Sequence, residues 1–145
     1  TEDGFFRTGD LAVIDRDGYV SITGRQKDLI IRGGVNISPV PIEDALATHP
    51  NVASVAVIGI PDLRLGERLC AVIEPRGRRP DLQELQQFIF AYGLPKYLAP
   101  EALRFVDGMP RTPAGKIRKT DLRSLVEDGV PDASRRSSDT GVRDT

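Results

Sequence analysis

The pattern of hydrophobic and polar positions divides the chain into a β-rich start, a mixed middle and a polar end. Apolar runs at 11–14 and 19–22 flank the segment 15–18, which ends in Asp-Gly. An Asp-Gly pair in a short loop between two apolar runs predicts a β-hairpin. Because an isolated hairpin is marginally stable in water, residues 1–26 are predicted to be a remnant of a sheet that belongs to a preceding domain.

The middle of the chain alternates between helical and strand-like periodicity. Three helices are predicted, the first with Ser38 as its N-cap and an end before Pro50, the second from Asp81 to Gly93, and the third over 120–128. Apolar runs over 52–60, 69–73 and 103–106 predict buried strands. This order indicates an α+β domain over 27–130, in which about three helices pack on a small mixed or antiparallel sheet.

Composition narrows the possible partners. The chain has 145 residues and a net charge of −1, so no overall field attracts nucleic acid, and no nucleic-acid partner is expected. One Cys and one His argue against a transition-metal site. No apolar stretch approaches the roughly 18 residues of a membrane span, and no signal peptide is evident, so the expected location is cytoplasmic.

The two ends of the sequence lead to two different expectations. The first residue is Thr1 rather than Met, which we interpret as a fragment boundary. Residues 131–145 are nearly all small, polar or charged and cannot bury enough apolar surface to offset ordering, so a disordered tail is predicted.

Polar residues with possible chemistry fall in three segments. In the first, Asp10 follows Phe-Arg-Thr-Gly; its carboxylate could accept two hydrogen bonds from a sugar diol, or it could be a turn residue. In the second, the polar run 24–28 has the character of a linker or hinge, and Gly33-Gly34 beyond it permits either a plain turn or a close approach by a ligand.

The third segment, 110–119, contains two prolines and one glycine and is predicted to be an exposed loop that presents Lys116. An ammonium group there could reach a phosphate, or it could be an ordinary solvated lysine. Lys119 is expected to tolerate replacement and so to serve as a control. No Ser-His-Asp set and no glycine-rich phosphate loop accompany these segments.

The three segments, in this order and at these separations, resemble the C-terminal end of the adenylate-forming enzymes over about residues 4–127. That family includes acyl-CoA synthetases, luciferases and peptide-synthetase adenylation domains. The resemblance implies that a carboxylic acid is activated with ATP, giving an acyl-adenylate and pyrophosphate, and that the acyl group then passes to a thiol. ATP, AMP, Mg²⁺ and coenzyme A are expected to be bound mainly by an N-terminal adenylation domain, over which this domain acts as a lid.

The resemblance also implies roles for individual residues. Asp10 and Arg25 match positions that contact the ribose, and Lys27 matches the hinge about which the lid rotates. Lys116 matches the catalytic lysine that bridges the carboxylate and the α-phosphate. Gly33-Gly34 matches the loop that lines the pantetheine tunnel of coenzyme A, and no residue is assigned to a metal.

The run 27–37 is most similar to acyl-CoA synthetases, with ligases of fatty or of carbocyclic and aromatic acids as the nearest relatives. Two alternatives remain open, the lid of a peptide-synthetase adenylation domain and a non-catalytic module that binds by itself. One position departs from the family pattern, because Pro41 stands where Glu is usual, which puts in doubt whatever that Glu does. The fragment alone is expected to be inactive.

Overall fold

A computed structural model of the chain describes residues 9–128 and begins with the predicted hairpin. Strands β1 (Asp10–Ile14) and β2 (Val20–Arg25) pair antiparallel. The turn is held by the Asp15 carboxylate, whose Oδ1 accepts hydrogen bonds from the backbone N–H groups of Asp17 and Tyr19 at 2.9 and 3.0 Å. Residues 1–8 and 129–145, including the predicted tail at 131–145, lie outside the described residues.

A separate five-stranded sheet forms the centre of the remaining chain. Its strands are β3 (Ile30–Arg32), β4 (Val35–Ile37), β5 (Val52–Asp62), β6 (Gly66–Pro75) and β7 (Ala102–Phe105). The order is β4-β3-β6-β5, with β7 parallel to β6 and the other pairs antiparallel. The sheet is therefore mixed, which confirms the predicted fold class.

Two strands differ from the sequence prediction. Strand β5 continues through Pro61 instead of ending before it, and it can do so because β5 is an edge strand, where a missing N–H costs no ladder hydrogen bond. Strand β4 was not predicted. It pairs with β3 around Gly33 and Gly34, whose φ angles of 56° and 80° lie in the region that a two-residue hairpin turn requires and glycine favours.

The three predicted helices are α1 (Val40–Ala47), α2 (Leu82–Tyr92) and α3 (Lys119–Glu127). The Asp81 cap of α2 is confirmed, since its Oδ1 accepts a hydrogen bond from the backbone N–H of Glu84 at 2.8 Å. The Ser38 cap of α1 is displaced by one residue: Pro39 occupies the N-cap position, although the Ser38 Oγ still accepts the backbone N–H of Val40, the first helical residue, at 3.4 Å. None of the helices within residues 9–128 has the length and apolar character that crossing a bilayer requires.

The helices cover both faces of the sheet. Side chains alternate along β5 and β6, so successive residues point to opposite faces. Helices α1 and α2 pack on one face, where the buried residues include Val55, Val57, Leu69 and Ala71. Leu122 of α3 packs on the other face with Ala56, Ile58, Val72 and Cys70, the last of which is fully buried as predicted.

Candidate functional site

The base of the hairpin is anchored on the start of α1. The hydroxyl of Ser38 donates to the carbonyl of Thr23 at 2.9 Å. A Cβ atom added to Gly24 would lie 2.8 Å from the Ser38 Oγ, so the two segments touch. The backbone N–H of Gln26 also donates to the carbonyl of Gly9 at 2.8 Å. These contacts bring both ends of the hairpin beside the domain that is built on the five-stranded sheet.

The two predicted ribose-contacting residues lie together at this base. Asp10 and Arg25 are opposite each other in the β1–β2 register, and the Arg25 Nε is 3.4 Å from the Asp10 Oδ1. Both side chains remain partly exposed. They line a groove of about 650 Å³ between the hairpin and the domain built on the five-stranded sheet. A solvent-exposed ion pair contributes at most about 1 kcal/mol, so a hydroxyl-bearing ligand can compete for these groups.

The loop that carries Lys116 is held by its own backbone. The backbone N–H of Thr112 donates to the Lys116 carbonyl at 2.7 Å, and the backbone N–H of Lys116 donates to the Thr112 Oγ1 at 3.2 Å. The guanidinium of Arg111 binds the Gly115 carbonyl at 3.0 Å and the Ser54 Oγ at 2.7 Å, which fastens the loop to β5. The Lys116 side chain is exposed and lines the same groove as Asp10. A fixed backbone therefore projects a solvated ammonium group into the groove.

A second groove of about 560 Å³ lies beside the first and is strongly basic. Lys27 is part of a single 3₁₀ turn, Gln26–Asp28, that joins β2 to β3, and Asp28 is the one acidic residue of the lining. Six basic residues line the groove: Arg25, Lys27, Lys116, Arg118, Lys119 and Arg123. Such an excess of positive charge suits a polyanion such as a chain of phosphates.

An ion pair behind the groove was missed by sequence reasoning. The Lys119 Nζ lies 2.6 Å from the Glu43 Oε1, and both side chains are mostly buried, at 16% and 21% exposed. The same carboxylate oxygen accepts the backbone N–H of Val57 at 2.9 Å. The pair ties the start of α3 to α1 and β5, so Lys119 is an unsuitable control for Lys116. No local sequence signal pairs residues 43 and 119, since only the tertiary fold brings them together.

The structure does not bring Gly33 and Gly34 to the Lys116 groove. The Gly33 N–H donates to the carbonyl of Leu65 at 2.8 Å, just beyond the end of β5, whereas the Lys116 loop is fastened to Ser54 near the start of β5. The eight residue-to-residue steps from Ser54 to Asp62 span about 26 Å at roughly 3.3 Å per step. The predicted site residues therefore occupy two separate ends of the domain.

The single histidine has a structural role. His49 is 5% exposed, its Nδ1 accepts the Asn51 N–H at 3.1 Å, and its Nε2 is 3.3 Å from the Glu84 Oε1. Hydrogen bonding to Arg78 is the main reason that the pKa of Glu84 is lowered. Among residues 9–128, no group of three or more His, Cys, Asp or Glu side chains is placed to hold a metal ion.

Comparison with known proteins gives consistent matches. The family profile described as "AMP-binding enzyme C-terminal domain" matches residues 41–116. A long-chain-fatty-acid–CoA ligase of Thermus thermophilus is 49% identical over 123 residues, and a 2,3-dihydroxybenzoate-AMP ligase of Bacillus subtilis is 42% identical over 128 residues. These alignments cover 85% and 88% of this chain but only 23% and 24% of the two relatives.

Solved structures agree. The crystal structure of ATP-bound MatB from Rhodopseudomonas palustris superimposes with a TM-score of 0.78 at 40% identity, covering 88% of this chain and 25% of that one. The chain therefore spans about a quarter of the length of the relatives that it matches.

Proposed function

The chain belongs to the family of AMP-binding enzyme C-terminal domains, and from this membership we propose that it is the lid of a longer, ATP-dependent acid–thiol ligase of the acyl-CoA synthetase type. In this proposal a carboxylic acid and ATP give an acyl-adenylate and pyrophosphate, and coenzyme A then takes the acyl group as a thioester. The chain supplies the catalytic lysine and the hinge, and a cytoplasmic location is part of the proposal.

The observation that carries the proposal is the fixed loop that projects Lys116 into a groove shared with Asp10 and Arg25. In the adenylation step Lys116 binds the carboxylate and the α-phosphate, where negative charge develops as the bond to phosphorus forms. A pre-placed ammonium stabilises that charge without a reorganisation cost. Asp10 accepts hydrogen bonds from the ribose hydroxyls, and Arg25 orients Asp10 and contacts the same sugar.

The distance between the two ends of the domain supports a rotating lid. Two segments fastened near opposite ends of β5, about 26 Å apart, cannot act on the same acyl carbon at once, so the domain has to present them in turn. The end with Lys116 serves adenylate formation, and the narrow Gly33-Gly34 turn admits the pantetheine chain for thioester formation. Lys27 lies in the short turn between the hairpin and the lid domain, where a change of backbone angles would reorient one against the other.

The hairpin supports an N-terminal domain as the partner. Five of its apolar side chains are more than half exposed: Val13, Ile14, Tyr19, Val20 and Ile22. We assign residues 1–26 to that partner domain and 27–130 to the lid. The N-terminal partner domain is the main binding site of ATP, the carboxylic acid and Mg²⁺ in this proposal. When bound, Mg²⁺ would neutralise phosphate charge.

A second candidate is a ligase that activates an aromatic acid for transfer to a carrier protein. The relative from Bacillus subtilis, whose name describes an aryl-AMP ligase, favours it. The experiment is to assay the full-length protein for pyrophosphate release with a panel of fatty and aromatic acids, and then for transfer of the acyl group to coenzyme A or to a carrier protein. Transfer to coenzyme A supports the first candidate, and transfer to a carrier protein alone rejects it in favour of the second. Absence of acid-dependent pyrophosphate release rejects both.

A further inference from the structure

The Gly33-Gly34 turn is attached to the rest of the sheet by few backbone contacts. Within residues 9–128, β3 pairs with β6 at one residue pair, Arg32 with Gly66. The N–H of Gly33 donates to the carbonyl of Leu65 at 2.8 Å. Strands β3 and β4 contribute three residues each, so the ladder between them is short. The position of the turn therefore depends on whatever else holds β3 against β6.

A side chain takes the place of the next backbone bond between β3 and β6. The N–H groups of alternate residues point to the same side of a strand, so the Ile31 N–H points towards β6 as the Gly33 N–H does. In a continued antiparallel ladder it would donate to the backbone carbonyl of Glu67. Instead it donates to the Glu67 carboxylate, at 2.8 Å from Oε2. Because a hydrogen bond to an ionised carboxylate is roughly twice as strong as a neutral one, Glu67 is a second anchor for β3.

The Glu67 carboxylate occupies a space that a glycine leaves open. Gly59 on β5 and Glu67 on β6 lie on the same face of the sheet. A Cβ atom added to Gly59 would lie 2.8 Å from the Glu67 Cδ and 2.9 Å from its Oε1. Gly59 does not have a positive φ angle, so its backbone does not itself require glycine. A glycine inside a strand often marks the close approach of another group, and here that group is the Glu67 carboxylate.

Both anchors of β3 come from one firmly built element. At eleven and ten residues, β5 and β6 are the longest strands that the structure describes, and they pair with each other along their length. The turn between them is closed by Asp62, whose Oδ1 accepts the backbone N–H groups of Arg64 and Leu65 at 2.9 and 2.8 Å. The Leu65 carbonyl and the Glu67 carboxylate are therefore fixed points against which the short β3–β4 hairpin is placed.

We infer that Glu67 is a positioning residue for thioester formation, a role that rests on the proposed function of the Gly33-Gly34 turn. Glu67 holds the turn in place before the pantetheine chain of coenzyme A arrives. A turn that is already ordered costs little conformational entropy on binding, whereas a loose turn has to be ordered at that moment. Loss of the anchor therefore raises the KM for coenzyme A and leaves the rate at saturating coenzyme A nearly unchanged. Adenylation uses the other end of the domain and does not depend on Glu67.

The hydrogen bond itself is tested by amide hydrogen exchange of the 145-residue chain. Glu67→Ala should speed exchange at the Ile31 N–H by about tenfold or more, a factor that corresponds to about 1.4 kcal/mol. Glu67→Gln keeps an acceptor oxygen and should recover most of the protection. Wild-type exchange at Ile31 in the Glu67→Ala chain would overturn the inference.

The role in thioester formation is tested by the kinetics of four variants of the full-length protein. The KM for coenzyme A should rise by about tenfold in Glu67→Ala and in Gly59→Ala, because the added Cβ displaces the carboxylate without touching the turn. Gly108→Ala is the matched control, since a Cβ there would meet nothing within 4 Å. Glu67→Gln should restore a KM near that of the wild type. Pyrophosphate release should be retained in all four variants.

The outcomes separate this role from a general loss of structure and from the proposed function. A wild-type KM for coenzyme A in both Glu67→Ala and Gly59→Ala overturns the positioning role. Equal losses of pyrophosphate release and of transfer also overturn it, because they indicate a structural effect on the whole domain. Gly59→Ala keeps the role testable if Glu67→Ala does not fold. A wild-type enzyme that releases pyrophosphate but forms no thioester with coenzyme A would instead reject the proposed function, whatever the variants show.

Discussion

The two ends of the lid domain differ in chemistry as well as in position. The end with Lys116 is dense in charge, and its loop is braced by Thr112 and Arg111. The end with Gly33-Gly34 presents a turn without side chains, with exposed Ile31, Val35 and Leu63 near it and with the neighbouring Arg32 paired to Glu101. A braced cationic loop suits a step in which negative charge develops on phosphorus, and a turn without side chains suits the passage of a thin, mostly neutral chain. This contrast fits the proposal that one small domain serves two successive reaction steps.

The largest effect is expected from removing the charge at the first end. In the full-length enzyme, Lys116→Ala should lower pyrophosphate release on the order of 10²–10³-fold, the scale of losing one preorganised donor to a transition-state charge. Transfer from a supplied acyl-adenylate to coenzyme A should be largely unchanged. Lys96→Ala is the matched control, because Lys96 is exposed and lies outside both grooves. Loss of transfer to the same extent as adenylation would remove the distinction between the ends.

The opposite pattern of effects on the two half-reactions is expected when a side chain is added at the Gly33-Gly34 end. Gly34→Val should slow thioester formation by about tenfold or more while pyrophosphate release is retained, because a β-branched residue at a φ of 80° is strained and would narrow the passage. The control is Gly77→Val, which introduces the same strain at a φ of 73° in a loop elsewhere. Equal kinetics in the two variants would show that strain alone, and not the passage, is responsible.

A smaller effect, on stability, is expected at the Lys119–Glu43 pair. Lys119→Ala leaves a mostly buried carboxylate without its cation and should lower the free energy of unfolding by roughly 1–3 kcal/mol, measured by urea denaturation of the 145-residue chain. Glu43→Gln in the same chain should recover part of that loss, because it removes the orphaned charge. If the single Lys119 variant is as stable as the wild type, the pair does not brace α3.

The smallest effect is expected at Glu84, which lines neither groove. Its pKa is lowered mainly by hydrogen bonding to Arg78, so the unfolded state binds the proton more readily than the folded state. This contribution to stability is present above the unfolded pKa of about 4.3 and is lost as the pH falls through the folded pKa. Melting temperatures from pH 7 to pH 3 should fall less steeply for Glu84→Gln than for the wild type. Parallel curves would contradict the assignment.

The sequence predicted best those features that depend on neighbouring residues. The Asp15–Gly18 turn and the Asp81 cap are local, and both were confirmed. Strand β4 was missed because three residues give too short a pattern. The hydrogen bond from the Ser38 hydroxyl to the carbonyl of Thr23, fifteen residues away, was also missed. Such contacts depend on the tertiary fold.

The candidate site also has features that the sequence predicted and features that only the tertiary fold determines. The motifs identified Asp10, Arg25 and Lys116, and the structure places all three on one groove. Sequence alone did not indicate that Gly33-Gly34 lies at the far end of β5, since the two segments are joined through the sheet and not along the chain. The roles of these residues and of Lys27 stay predictions until activity is measured.

The central claim is that the lid turns about Lys27 to present its two ends in succession. The most direct test is to measure both half-reactions separately in a full-length Lys27→Pro variant, since proline fixes φ at residue 27 and restricts residue 26. Pyrophosphate release reports adenylation, and thioester formation from synthetic acyl-adenylate reports transfer. The account predicts unequal losses, because each step needs a different orientation of the lid. Equal losses in both steps, with an unchanged melting temperature, would contradict it.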